Sequence, residues 1–454
     1  MEKLPVAFIE RIQSEQAESA ETFLAALEAE APVSIRFNPN KNLSPDAPIH
    51  TLVASQVPWS SHGAYLHARM HFAYDPMWHA GAYYVQEASS MFLEQVFREV
   101  QRLSETPDVC VLDLCAAPGG KSTLISSLIS ENSLLVSNEI IRSRAHILSE
   151  NLCKWGHPNT IVTQDSPAAW GRMSGMFDVI ISDVPCSGEG MFRKDDVAIR
   201  EWNPGLPQFC ALRQEQIVRD AWAALKPGGF WIYSTCTFNR LENEDMLHWI
   251  CTHLGARSLP IPFESAWGVE ETDGPMYRFY PHKVRGEGFS IALLQKTHDR
   301  QDTWSYSKSK QSRVPLDFSQ RFMEGIMHPD RYRVWQTGLT YSAIPSMHKE
   351  LSQRIQSDMH VLKMGIPLGA IKGKDVLPDP AKALSTALEV SAVPSVDVPL
   401  DVARDYLRRN AIPLPEDTPK GWVLIKHGGL ALGWMKNIGN RANNAWPAEW
   451  RLRT

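Results

Sequence analysis

The sequence is poor in several of the features that most quickly place a chain in a class. No run of eighteen apolar residues occurs among its 454 residues, and the opening MEKLPVAFIERIQSEQAES carries acidic residues, so neither a membrane span nor a secretion signal is expected. The cytoplasm is the expected compartment. Cysteine is scarce, with seven at 110, 115, 153, 186, 210, 236 and 251: an odd number with no CxxC pair, which argues against a disulfide framework and against a zinc ribbon. Reduced thiols and no bound metal are expected. Glycine-rich nucleotide fingerprints are also missing. DLCAAPGGKST (113–123) contains Gly-Gly-Lys-Ser, but a P-loop needs glycine five residues before Gly120, where Cys115 stands. No GxGxxG loop is present either, which speaks against a nucleotide-dependent dehydrogenase.

What is present is enough apolar material, 43% of residues, for a sizeable core, and a length that suits two to four domains. The net charge of −5 conceals an asymmetry. Residues 1–299 hold 24 Lys/Arg against 36 Asp/Glu, and residues 300–454 hold 22 against 15. A basic region joined to an acidic one points to a polyanionic partner, beside the plainer reading of a solvated basic surface.

Short apolar runs at 109–114, 134–139, 160–165, 177–183 and 229–235 alternate with helical segments such as RSRAHILSENLCKW and LPQFCALRQEQIVRDAWAAL. That alternation predicts an α/β fold with a parallel sheet covered by helices on both faces. MYRFYPH and GFSIALLQK, separated by KVRGE, predict an antiparallel pair closing the sheet. The expected division is an N-terminal α/β region at 1–95, a catalytic domain at 96–297, a polar linker at 298–315, an accessory lobe at 316–395 and a C-terminal domain at 396–454. The last contains two alternating runs around His427-Gly428-Gly429, a hairpin signal.

The first strand ends in a turn where Gly119 and Gly120 let a ligand approach the backbone and a helix start offers free N–H groups to a carboxylate. Asp113, Glu139, Asp165 and Asp183 lie at or near the C-terminal ends of four successive strands, where open α/β sheets bind ligands. Glu139 suits the hydroxyls of a ribose and Asp165 an adenine amino group. An amino-acid-bearing nucleotide fits this series, and S-adenosylmethionine is the leading cofactor. Two cysteines also follow strands that end at this edge: Cys186 in ISDVPCSGEGMF and Cys236 in YSTCTFN. Spacing leaves open which of them attacks a substrate.

DLCAAPGGKS, DVPCSGEG and YSTCTFNRLENE, in that order, resemble the motifs of the NOL1/NOP2/Sun family of RNA cytosine-C5 methyltransferases, and YYVQEASSM resembles the lead-in to its cofactor motif. The final GWVLIKHGGLALGWMKNIGNRANNAWPAEWRLR resembles the terminal domain of the bacterial RsmF branch, which acts on small-subunit ribosomal RNA. The resemblance covers nearly the whole chain. It implies a Rossmann-like class I methyltransferase with a seven-stranded mixed sheet, a small N-terminal α/β domain and C-terminal PUA-like RNA-binding lobes. It implies S-adenosylmethionine as cofactor and 5-methylcytosine as product, in 16S rRNA or the small ribosomal subunit, with transfer RNA as the alternative substrate. A monomer is expected. A ribosome-assembly factor that keeps the fold without turnover is the rival from another class.

Cytosine C5 is a poor nucleophile, and adding a thiolate to C6 breaks the ring's aromaticity and pushes electron density onto C5. The adduct must then be undone by loss of the C5 proton and of the thiol. The resemblance implies Cys236 as nucleophile, Cys186 in product release and Asp183 as a contact to the target base. It places Cys115, Ala116, Ala117, Pro118, Gly119, Gly120 and Lys121, with Glu139, Asp165 and Asp183, around the cofactor. Cys110 and Cys251 read as core, and no role is expected for Cys153 or Cys210. Arg193 and Lys194 are candidate phosphate contacts, with a solvated pair as the alternative. Lys436, Asn437, Asn440, Arg441 and Asn443 are candidate RNA contacts, whereas Trp78, Tyr83, Tyr84, Trp422 and Trp434 are mostly expected in cores.

Overall fold

The computed structural model describes residues 3–272, 274–297, 316–373 and 375–453, so the expected linker at 298–315 lies outside the described residues. The apolar runs form β1 (Cys110–Asp113), β2 (Leu134–Asn138), β3 (Thr160–Thr163), β4 (Phe177–Asp183) and β5 (Leu225–Thr235), followed by β6 (Tyr277–Phe279) and β7 (Phe289–Lys296). β1 to β5 pair in parallel in the order β3-β2-β1-β4-β5. β7 enters antiparallel between β5 and β6. The strand order therefore reverses between β1 and β4, which opens a crevice at their C-terminal ends.

The expected seven strands are all present, and three more extend the sheet to ten. Glu270–Glu271 pairs with β6 and Ala256–Leu259 with β7. Val361–Met364, from the accessory lobe, runs antiparallel along β3 with a register shift between Val361 and Lys363. Helices flank the sheet as their apolar spacing predicts. Arg142–Trp155 is one, stopped by Gly156 in the left-handed region at φ 85°, whose N–H donates to the Leu152 carbonyl.

Three smaller four-stranded sheets complete the molecule: one within residues 34–85, one within 332–378 and one within 395–444. The regions share cores. Ile35, Ala64 and Tyr83 of the N-terminal sheet lie in one cluster with Tyr406, Leu432 and Trp446. Phe322 and Ile366 of the accessory lobe pack with Leu424 and Trp434. Tyr83 and Trp434 belong to these clusters and Trp78 and Trp422 pack against them partly buried, whereas Tyr84 is half-buried and joins none. No described helix is long and apolar enough to cross a membrane.

Two N-terminal helices, Val6–Glu15 and Ala20–Glu28, bury Phe8 and Phe23 against the loops that follow β4 and β5. Phe8 meets Phe192 edge-on with centroids 5.0 Å apart, and Phe23 meets Phe238 at 4.9 Å. These loops carry the two cysteines singled out above, so the helices brace the site from outside the sheet.

Candidate active site

The turn after β1 is held from three sides. Gly119 adopts φ 116°, a conformation that disfavours any residue with a β-carbon. Arg144 and Asn151, from the helix beyond, donate to the carbonyls of Ala117 and Pro118, each at 2.8 Å. From the N-terminal sheet, Arg36 donates to Gln86 Oε1 at 2.9 Å and to Thr123 Oγ1 at 2.6 Å, with its guanidinium stacked 4.4 Å from the Trp155 ring. Burial lowers the Arg36 pKa to about 9. Asn138 joins the ends of β1, β2 and β3: its amide donates to the carbonyls of Leu114 and Asp165, and its oxygen accepts from Thr163 Oγ1 and the Asp165 N–H.

Lys121 reaches Asp183 at 2.7 Å, and Ser234 donates to the other Asp183 oxygen at 3.0 Å. Burial opposes the Lys121 charge, but the Asp183 and Asp113 carboxylates outweigh it and raise the pKa above the usual lysine value. The two cysteines meet beside this pair. Cys186 Sγ and Cys236 Sγ lie 3.2 Å apart, and the Cys236 N–H points at Cys186 Sγ at 3.4 Å. The parallel pairing of β4 with β5 brings them together across 50 positions of sequence. The hydrogen bond with Cys236 raises the Cys186 pKa well above the ordinary thiol value, with burial and the Cys236 and Glu242 charges adding to it.

Behind the sulfurs, the Glu242 carboxylate accepts from the Ser187 N–H at 2.9 Å and from Ser187 Oγ, from Asn239 Nδ2 at 2.7 Å and from Gln214 Nε2 at 2.8 Å. One buried acid thus fastens the Cys186 loop to the Cys236 loop. Burial raises its pKa. Glu189 adds a second fastening, accepting from the Phe238 N–H at 3.0 Å and from Trp202 Nε1 at 3.1 Å while paired with Arg11 at 2.8 Å.

Comparison with known proteins agrees with this architecture. The family described as 16S rRNA methyltransferase RsmB/F matches residues 100–295, the N-terminal domain of 16S rRNA methyltransferase RsmF matches 4–88, and the methyltransferase RsmF PUA domain matches 393–452. The chain belongs to the RsmB/F methyltransferase family. A ribosomal RNA small subunit methyltransferase F from Vibrio parahaemolyticus is 30% identical over 98% of this chain and 97% of its own. The Shewanella sediminis protein of the same name is 31% identical over 81% and 78%. Among solved structures, a methyltransferase homologue from Pyrococcus horikoshii is 27% identical, with a TM-score of 0.53 over 64% of this chain and 94% of that one.

As an RsmB/F-family methyltransferase the protein uses S-adenosylmethionine, and the residues at the sheet edge fit that group. Asp113 is fully buried. One of its oxygens accepts from Ser122 at 2.6 Å; the other has no hydrogen-bond partner among the described residues, and burial lifts the pKa to about 7. The carboxylates of Asp113, Glu139 and Asp183 converge on Cys115, whose thiol is pushed above its ordinary value by burial and by those charges. Glu139 accepts from the Ile141 N–H at 2.9 Å, with Arg144 3.6 Å from its other oxygen. Asp165 is partly committed elsewhere, because one oxygen accepts from the His360 N–H at 2.9 Å and so fastens the strand Val361–Met364.

The structure redirects several expected contacts in this family member. Arg193 is spent on the carbonyls of Ala29, Glu30 and Gly286, all within 3.0 Å, which makes it a brace for the N-terminal helices; Lys194 lies 3.7 Å from Glu287. Lys436 pairs with Asp375 at 2.8 Å, and the Asn437 amide donates to the carbonyls of Thr418 and Pro419. Asn440, Arg441 and Asn443 remain exposed. Cys110 and Cys251 pack against the main core, as expected. Arg36, Asn138, Glu189 and Glu242 were missed in the sequence. The last two sit inside the cysteine motifs, and that proximity was the available signal.

Proposed function

We propose that the protein forms 5-methylcytosine in 16S ribosomal RNA through a covalent bond between Cys236 and cytosine C6. The observation that supports this most directly is the pair of sulfurs 3.2 Å apart at the ligand edge of a methyltransferase sheet. A methyltransferase acting on a ready nucleophile has no need of a thiol; a reaction that makes and then breaks a carbon–sulfur bond needs one to attack, and a second group beside it suits the release step.

Residues Cys115 to Lys121, with Glu139, Asp165 and the unpartnered Asp113 oxygen, would hold S-adenosylmethionine, which supplies an electrophilic methyl group. Either sulfur can donate across the 3.2 Å contact; with Cys186 as the donor, Cys236 is left as the acceptor, an arrangement that suits a nucleophilic Cys236. Addition of Cys236 Sγ to C6 would move an electron pair onto C5, which would take the methyl group as the S–CH3 bond of the cofactor breaks and its pair stays on the departing thioether sulfur, leaving S-adenosylhomocysteine. A base then takes the C5 proton, the freed C–H pair re-forms the C5=C6 double bond, and the C6–Sγ pair leaves with Cys236 Sγ; Cys186, once its own proton has passed to solvent, is assigned as that base. Asp183, steadied by Lys121 and Ser234, faces the polar edge of the base. The target cytosine has to be single-stranded or flipped, because C6 is out of reach within a stacked helix.

Cys236→Ala is expected to abolish both methyl transfer and the covalent RNA adduct, whereas Cys186→Ala is expected to accumulate the adduct on a denaturing gel. The reverse pattern exchanges the two roles. Bisulfite sequencing of RNA from a deletion strain names the nucleotide, and unchanged 5-methylcytosine throughout 16S rRNA sinks the substrate assignment.

A further inference from the structure

The C-terminal region holds a second concave site, more than 150 residues beyond the cysteine motifs in the sequence. The helix Leu400–Leu407 closes with the Arg409 N–H bonded to the Tyr406 carbonyl and the Asn410 N–H to the Asp405 carbonyl, the paired bonds of a Schellman turn. The residue that must turn left-handed there is usually glycine, but here it is Arg409 at φ 62°, one of two non-glycine residues with positive φ among those described. A β-carbon in that conformation crowds the following carbonyl oxygen, so a side chain there is disfavoured.

The site is built around that turn. Asn444 Nδ2 donates to the carbonyls of Tyr406 and Asn410, which fastens the strand Ala442–Asn444 to the helix end. The Leu452 N–H donates to the Leu407 carbonyl at 3.0 Å, and this brings Arg451 alongside. The resulting groove, about 450 Å³, is lined by Arg408, Arg409 and Arg451 together with Asn410, Asn443 and Asn444. Asp405 lies 3.4 Å from Arg408 and accepts from Asn410. Among the described residues neither Arg409 nor Arg451 is in an ion pair, and the buried Nε of Arg408 has no hydrogen-bond partner. The helix dipole favours cations at this end, which accounts for Arg408 and Arg409 but not for Arg451, which arrives from the tail.

Resting on the RNA reading above, we propose that this groove binds backbone phosphates of the substrate RNA. Guanidinium forks match phosphate oxygens in pairs, and the carboxamides can donate alongside them. No aromatic ring lines the groove, so a base meets no aromatic platform there. Its contribution is affinity and orientation, with sequence discrimination left to the catalytic crevice.

The test uses the full chain and a fragment of 16S rRNA, with affinity measured at several salt concentrations. Arg409→Gly combined with Arg451→Gln is expected to weaken binding and to lower the slope of log affinity against log salt by about 0.7–0.9 for each phosphate that is no longer neutralised. Binding of S-adenosylhomocysteine should be unchanged. Because glycine suits a left-handed turn, Arg409→Gly alone should keep or raise the melting temperature while weakening RNA binding; a purely structural arginine gives the opposite pattern. If wild type binds RNA and the double variant keeps its salt slope, the groove assignment fails alone. If wild type does not bind RNA, the substrate reading fails with it. Inorganic phosphate that stabilises wild type but not the double variant, with RNA affinity equal in both, assigns the groove to free anions and overturns the proposal.

Discussion

At the scale of single residues, the carboxylate of Glu242 ties together the two loops that carry the sulfurs without bonding to either sulfur. All four groups that point at it are donors: the Ser187 N–H and Oγ, Asn239 Nδ2 and Gln214 Nε2. A glutamine there keeps the volume but turns an NH2 group toward donors, leaving at least one buried donor unsatisfied at a cost of about 1–3 kcal/mol. Glu242→Gln is therefore expected to lower kcat at least tenfold and to trap adduct, as Cys186→Ala should, while S-adenosylhomocysteine affinity stays near wild type. Calorimetry and a denaturing gel check the two halves. Adduct turnover at the wild-type rate removes Glu242 as a positioning residue. Cys186, Cys236 and the acidic series were legible in the sequence because each stands beside a strand end in a recognisable run. Arg36 was not, because its partner Thr123 lies 87 positions away and no periodicity marks a lone buried cation.

At the scale of elements, the alternation of apolar runs with amphipathic segments made the parallel strands and the helix Arg142–Trp155 legible. The end of that helix shows how tightly the accessory lobe is seated. Gly156 takes φ 85°, a β-carbon on it would lie 2.2 Å from the Leu384 carbonyl oxygen, and its own carbonyl accepts from the Thr386 N–H at 2.9 Å. Gly156→Ala is expected to destabilise the protein by at least about 2 kcal/mol, combining backbone strain with a forced shift of the lobe. The shift of the denaturant midpoint measures it, and a loss below about 0.5 kcal/mol refutes the close seating. The pairing of Val361–Met364 with β3 could not be read beforehand. A four-residue edge strand has too little pattern to reveal its partner, and its hydrogen bonds go to a sheet formed some two hundred residues earlier.

At the scale of the whole molecule, the regions separated in the sequence by composition are joined by their cores. Val398, Tyr406, Leu432 and Trp446 complete a cluster begun by Ile35, Ala64 and Tyr83. Linker composition marks where a chain changes character, but it does not say which faces meet. A chain cut after residue 297 is expected to expose that cluster and the free edge of β3, and so to aggregate or elute as oligomers on gel filtration. A monodisperse, cooperatively melting 1–297 fragment refutes the shared core as a requirement for stability. The capped edge also bears on how the protein is made. Lys363 and its partner Thr160 are 203 positions apart, so at about 5–20 residues per second a ribosome leaves β3 bare for roughly 10–40 s before its cover emerges. An uncovered strand of a parallel sheet is a template for wrong pairing. Nascent chains of this protein therefore pass through a window in which chaperone occupancy, rather than final stability, decides yield, and slowing synthesis between residues 164 and 360 lengthens it.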